Sequence, residues 1–355
     1  MHNLIYLLIG TYTLQLSEGV YVYSFDPVTG ESAYAGMAPV ENPSYLAASL
    51  ARTFIYTVTE NDGASYANAL SFDGGSGALR LLNSEETKGD APCHLAVDRY
   101  NSHVVTANYG GGSISVFPLQ ADGRLKPVAQ VIAFEGKGAD PERQGSPHLH
   151  CVQFSPCGRY LFAADLGRDY LYRFETDYSG SGDFIDERSL TAYKMEEGSG
   201  PRHFAFHPSG NYLYLINELS GTVTAFTCGG GQLAPFQTVV ADTLHAKGSA
   251  AIGMTPDGRF LYASNRLQGD GIAIFAIAPS NGMLTKVGYQ PTGRHPRHFT
   301  ISPDGKFLLS ASRDQHVVEV FEIDRHTGLL RNIHKDIHID MPVCLEFIDP
   351  ARPPL

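Results

Sequence analysis

Tryptophan is absent from the 355 residues, so the Trp-Asp dipeptide that marks the commonest repeated β-scaffolds cannot occur. Cysteine is scarce: the five, at 93, 151, 157, 228 and 344, form no CxxC pair and are odd in number. They read as reduced, mostly buried thiols of a cytosolic chain. Charged residues make up 18%, below the ~25% usual for soluble domains, and the net charge of −11 leaves no global attraction for nucleic acid. No run approaches the ~20 apolar residues of a membrane span. The opening MHNLIYLLIG has neither a basic leader nor a small-residue cleavage site, so it reads as a strand and the chain as cytoplasmic. Helix-period stretches are missing as well.

What is present is a repeat. In Pro201 to Phe226, PRHFAFHPSGNYLYLINELSGTVTAF, two alternating runs flank the turn His207-Pro208-Ser209-Gly210, and a third run follows Ser220-Gly221. This is the pattern of an antiparallel meander. Gly210 has counterparts at Gly158, Gly258 and Gly305, each before an aromatic-rich run, and weaker ones at Arg52 and Asn101, spaced 47 to 57 residues apart. A period near fifty predicts stacked copies of one supersecondary unit.

The termini supply one more copy between them. IYLLIGTYT (Ile5 to Thr13) matches a second strand with nothing before it, and PVCLEFID (Pro342 to Asp349) matches a first strand with only a Pro-rich tail after it. Second strands therefore begin near 6, 54, 103, 160, 212, 260 and 307. The expected fold is an all-β, seven-bladed β-propeller of four-stranded antiparallel blades, one domain over 1–355, whose last blade is closed by N- and C-terminal strands so that no sheet edge is left exposed.

Two registers then carry residues that the fold does not need. At the start of the innermost strands stand Ser44, Cys93, His150, Arg202, Ala250, Arg297 and Val343. Just past the second strands stand Thr11, Glu60, Tyr109, Leu166, Glu218, Arg266 and Arg313. In an antiparallel hairpin these positions lie side by side, so both registers face one mouth of the central channel. Charges at strand ends often serve as blade-to-blade salt bridges. Several guanidiniums around one mouth need a counter-anion, however, and that favours a site for an anionic ligand. The sites are expected at a solvent-facing rim, where substitution leaves the fold intact.

PHLH (Pro147 to His150), FSPCGRYLFAADLGRDYLYRF (Phe154 to Phe174), GPRHFAFHPSGNYLYLINELSGTV (Gly200 to Val223), SNRLQGDGIAIF (Ser264 to Phe275) and HPRHFTISPDGKFLLSAS (His295 to Ser312) together resemble the seven-bladed lactonase family. That family groups propeller-type bacterial 6-phosphogluconolactonases with the fungal 3-carboxy-cis,cis-muconate cyclase, and the resemblance spans essentially the whole chain. It implies a catalytic set of His150, Arg202, Glu218 and Arg266, with Arg297 as an alternative to Arg266 and His148 as an alternative imidazole. Lactone opening needs a base, which Glu218 or His150 can supply, and donors for an oxyanion, which Arg202 and Arg266 can supply. Arg297 and His298 are further anion ligands, and His148, His203, Asn108 and Tyr109 are placed in the binding site. Crowded guanidiniums should keep Glu218 ionised and His150 neutral.

Other signals are weaker. His148 and His150 lack a third metal ligand at convincing spacing, so no metal and no cofactor is expected. Asn108-Tyr109-Gly110-Gly111-Gly112 fits a turn better than a phosphate nest, Gly229-Gly230-Gly231 reads as an outer hairpin turn, and Lys247 stands where it could reach a phosphate. The reading is an intracellular hydrolase of a small anionic lactone, 6-phosphoglucono-δ-lactone foremost. Its alternatives are a non-phosphorylated aldonolactone, muconate-type cycloisomerisation, and a non-catalytic propeller that binds a partner. Oligomeric state is left open.

Overall fold

The computed structural model describes residues 5–351. Seven antiparallel sheets follow one another around a channel, and their second strands begin at 5, 54, 103, 160, 212, 260 and 307. Blade 1 is the closing blade: Pro342–Ile348 pairs with Ile5–Thr11, which leads into Gly19–Phe25 and Ser32–Pro39. The innermost strands of blades 2 to 7 are Leu46–Ala48, Pro92–Val97, Leu149–Phe154, Pro201–Phe206, Ser249–Met254 and Pro296–Ile301. In blade 7 the outer edge is split, with Leu330–Asn332 and Ile337–His338 both pairing with Val317–Ile323. The only helical segment among the described residues is a single 3-10 turn, Arg313–Gln315, and no helix is long and apolar enough to cross a membrane.

The turn slot explains why the weak copies are true copies. Gly158, Gly210, Gly258 and Gly305 have φ of 72° to 74°, and Arg52 and Asn101 take the same left-handed conformation at 58° and 54°. Glycine holds that geometry without strain, so four of the six copies use it. The apolar faces of consecutive blades meet in shared clusters, such as Leu7 and Ile9 with Leu309 and Val318. A phenol latch repeats at the blade junctions: Tyr56, Tyr214 and Tyr262 donate to the carbonyls of Gly123, Gly282 and Gly328 in the next blade at 2.8 to 3.0 Å. These phenols are buried, and leaving one unpaired costs about 1–3 kcal/mol.

One departure from regular pairing builds the channel lining. The ladder slips by a residue at Pro92/His94, Leu149/Cys151, Pro201/His203 and Pro296/His298. A bulge re-aims side chains that strict alternation would send to opposite faces. Thus Arg202 and its neighbour His203 reach each other, Nη1 to Nε2, at 3.2 Å.

Candidate active site

Glu218 follows the second strand of blade 5, and its backbone N–H donates to Gly200 O at 2.7 Å. Gly200, at φ +63°, is where a side chain would strike Leu219, so glycine allows the strand to enter beside the carboxylate. Three guanidiniums converge on Glu218. Arg202 Nε lies 2.8 Å and Arg266 Nη2 3.2 Å from Oε2, and Arg143 Nη2 lies 2.6 Å from Oε1. Burial alone would raise the carboxyl, but Arg266, Arg202 and Arg143 together hold it down, from an ordinary 4.5 to about 2.

Two of the three arginines are braced from behind. Arg202 Nη1 donates to Ala250 O of the next blade at 2.7 Å, while its Nε–H, although close to Oε2, points off that line and makes no hydrogen bond. Arg266 Nε donates to Gly248 O at 2.9 Å and its Nη1 meets His295 Nε2 at 3.3 Å. Burial lowers the Arg266 pKa from 12.5 to about 9, against the pull of Glu218, so it stays charged at neutral pH. Beyond His295 stand Arg313 and Asp314, paired at 2.6 Å.

A second ion pair shares the mouth. Glu60 accepts from Tyr12 Oη at 3.0 Å and lies 3.7 Å from Arg297 Nη2, with the Arg297 guanidinium over the Tyr12 ring. Tyr109 stacks on His148 with centroids 4.3 Å apart and meets His150 edge-on at 5.4 Å. His150 also lies beside Cys93 Sγ, Nδ1 to Sγ 3.5 Å. Burial, followed by Arg202 and Arg297, pushes its pKa well below 6.5, so His150 is neutral.

Of the residues singled out from sequence, His150, Arg202, Glu218, Arg266, His148, His203, Arg297, His298 and Tyr109 all come to this mouth or the channel below it. Three expectations need correction. Asn108 is fully buried and its amide is spent inside its own blade, donating to Ser113 and Ser115 and accepting from Thr106, so it is a structural residue. The catalytic candidates are not at a solvent-facing rim: Arg202 is 1% and Glu218 4% exposed, because the innermost strands converge on them and the segment 134–148 covers Glu218 from outside. Lys247 is already paired, with Asp140 at 2.8 Å.

Several residues escaped the sequence reading. Arg143 lies in that 134–148 segment, outside the repeat register, and no motif marks it. His94 and Tyr45 are brought into the channel: Tyr45 stacks on His94 at 3.8 Å, and His94, His150 and His203 meet ring to ring. For His94 a signal was available: Pro92-Cys93-His94 has the form of Pro201-Arg202-His203 and Pro296-Arg297-His298, and the ladder slips at the same place in all three. Two of the channel imidazoles are committed as acceptors: His94 Nδ1 takes the Val152 N–H at 3.4 Å, and His298 Nδ1 takes the Leu345 N–H at 3.2 Å. Among the described residues no group of three or more His, Cys, Asp or Glu side chains is arranged to hold a metal ion.

Chemically, the mouth offers an ionised carboxylate, a neutral imidazole and an excess of guanidiniums in a place shielded from water. Such a site can receive an anion and stabilise an oxyanion. Comparison with known proteins agrees with that chemistry. Residues 6–347 match the family model described as Lactonase, 7-bladed beta-propeller. A 6-phosphogluconolactonase of Bacillus subtilis strain 168 is 36% identical over 352 residues, covering 96% of this chain and 97% of its own. A crystal structure from Bacteroides fragilis NCTC 9343, provisionally described as a 6-phosphogluconolactonase, superposes with a TM-score of 0.95 at 48% identity, over 98% of both chains. The periplasmic gluconolactonase of Pseudomonas aeruginosa superposes with a TM-score of 0.91 at 32% identity, over 97% of this chain and 99% of that one. The chain belongs to the seven-bladed β-propeller lactonase family, and is with it a lactone hydrolase.

Proposed function

We propose that this lactone hydrolase opens 6-phosphoglucono-δ-lactone to 6-phosphogluconate. The observation that carries the choice is the charge of the mouth. Arg143, Arg202, Arg266, Arg297 and Arg313 pair with Glu218, Glu60 and Asp314, and burial keeps the His150 and His295 imidazoles beside them neutral. Five cations against three anions leave an excess of two, which a phosphate monoester of about −1.5 to −2 charge would balance.

In this reading water adds to the lactone carbonyl carbon, and the carbonyl oxygen becomes an oxyanion. The unpaired Nε–H of Arg202, together with Arg266, receives that oxygen. A donor of this kind is worth about 2.7–4 kcal/mol in the transition state. The bond from the carbonyl carbon to the ring oxygen then breaks, the ring oxygen takes up a proton, and the acid is released. Two groups are in the protonation state a base requires, Glu218 as carboxylate and His150 as neutral imidazole.

The compartment follows the same reasoning: five free cysteines suit a reducing cytoplasm, and cell fractionation tests it. For the reaction, lactone opening by the purified protein is followed at constant neutral pH with the spontaneous rate subtracted. A strong preference for 6-phosphogluconolactone over gluconolactone is expected. Equal rates on the two lactones would remove the phosphate from the assignment, and no rate above background on either would overturn it.

A further inference from the structure

We propose that Arg143 is the specificity residue of the site: the anionic group of the substrate draws its guanidinium off Glu218 Oε1 and so converts Glu218 from a counter-ion into the base. The inference rests on the lactone-opening reading above and deepens it. In the free protein Glu218 is poorly fitted to take a proton, since both oxygens are engaged and the three cations hold its pKa near 2. A base must shed some of that stabilisation when the substrate arrives.

The three contacts are not equivalent. Arg202 and Arg266 both hold Oε2, with side chains only 2% and 6% exposed, and both are tied to backbone carbonyls of a neighbouring or their own blade. Arg143 alone holds Oε1, and its side chain is 35% exposed. It is also the one cation of the three that comes from a connecting segment instead of a blade position. Its free face is therefore where a ligand from solvent meets the site first.

The segment is anchored so that only the arginine tip needs to move. Gln144, fully buried, donates to Leu166 O and Asp169 Oδ1 at 2.8 Å and accepts from the N–H groups of Ala139 and Asp140. Asp169 in turn accepts from Gly198 and Gly200, the approach to Arg202. One buried carboxylate thus sets the base of the Arg143 segment and the entry of the strand that carries Arg202. The Tyr109 phenol, stacked on His148 beside the segment, also bears electrostatically on Arg143. The charged and titratable groups that bear on Glu218 are then Arg143, Arg202, Arg266, Tyr109 and, at longer range, Arg297.

The test compares wild type with Arg143→Ala and Arg143→Lys. The ratio of kcat/KM for 6-phosphogluconolactone to that for gluconolactone should fall by about tenfold or more in Arg143→Ala and recover in part in Arg143→Lys. The acid limb of kcat on gluconolactone should move to higher pH in Arg143→Ala, because Glu218 has lost one of its cations. A ratio within about twofold of wild type overturns the inference. Calorimetric titration with 6-phosphogluconate keeps it separate from the lactonase reading. Should wild type open neither lactone, that reading fails, and the titration decides alone: weaker binding by Arg143→Ala supports the role, whereas equal binding, or none by wild type, overturns it.

Discussion

Arg202 Nε stands 2.8 Å from Glu218 Oε2 with the two side chains 2% and 5% exposed, which makes this a buried ion pair and Arg202 the largest fully buried side chain among the described residues. A pair so placed is costly to break from one side, because the partner is left charged without compensation.

Arg202→Ala should therefore lower both activity and stability, by about a hundredfold or more in kcat/KM and by about 3–5 kcal/mol in unfolding free energy. Arg202→Lys keeps the charge but cannot reach Ala250 O and Glu218 together, and should lose activity while recovering part of the stability. Urea unfolding alongside lactone hydrolysis separates the two effects. Full activity in a folded Arg202→Ala protein would remove Arg202 from the mechanism.

Acid should destabilise the fold in two overlapping windows. The channel histidines are held neutral by burial, well below 6.5 for His94, His150 and His203 and near 3 for His298. The unfolded chain thus binds protons that the fold refuses, and stability is lost as pH falls below about 6.5. Glu218 is depressed to about 2, so its contribution is complete above about pH 4.5 and is lost as pH falls towards 2. His298→Gln, which retains an acceptor for the Leu345 N–H, should flatten the first window. The check is unfolding free energy between pH 7 and pH 4 for both proteins, and parallel curves would contradict the assignment.

Gly200→Ala is expected to act on the site through the backbone. The residue has φ +63° and a Cβ there would lie 2.5 Å from the Leu219 side chain, while Gly200 O holds the Glu218 N–H. The strain, about 1–3 kcal/mol, should appear as a lower melting temperature together with a lower kcat. Alanine at Gly210, also at positive φ but with open space around its Cβ, is the control: it should cost stability without touching kcat.

The architecture was legible in the amino-acid sequence because it is written many times. Turn residues, alternating runs and the half-units at the two ends each state the same period, and one weak copy such as Arg52 is corrected by its neighbours. The mouth was legible to the same extent, since Glu218 and Arg266 occupy equivalent positions of successive repeats, Arg202 lies beside Glu218 in the adjoining register of the same blade, and the propeller brings both registers to one end. Arg143 has no equivalent in other blades, and only the folded path of residues 134–148 delivers it to Glu218.

The remaining decisions were tertiary. Asn108 looked like a ligand at the mouth, yet its amide is consumed by three hydroxyls of its own blade. His94 entered the channel through a bulge, which depends on how two strands pair, although the P-x-H form it shares with Pro201-Arg202-His203 and Pro296-Arg297-His298 marks the place. Burial of the Arg202 and Glu218 pair depended on seven strands converging at once. Local sequence by itself determined the strands, their turns and the closed ring, because backbone conformation responds to near neighbours. Which charges pair, which amides are spent and which imidazoles stay neutral were set only when distant segments met in a space without water.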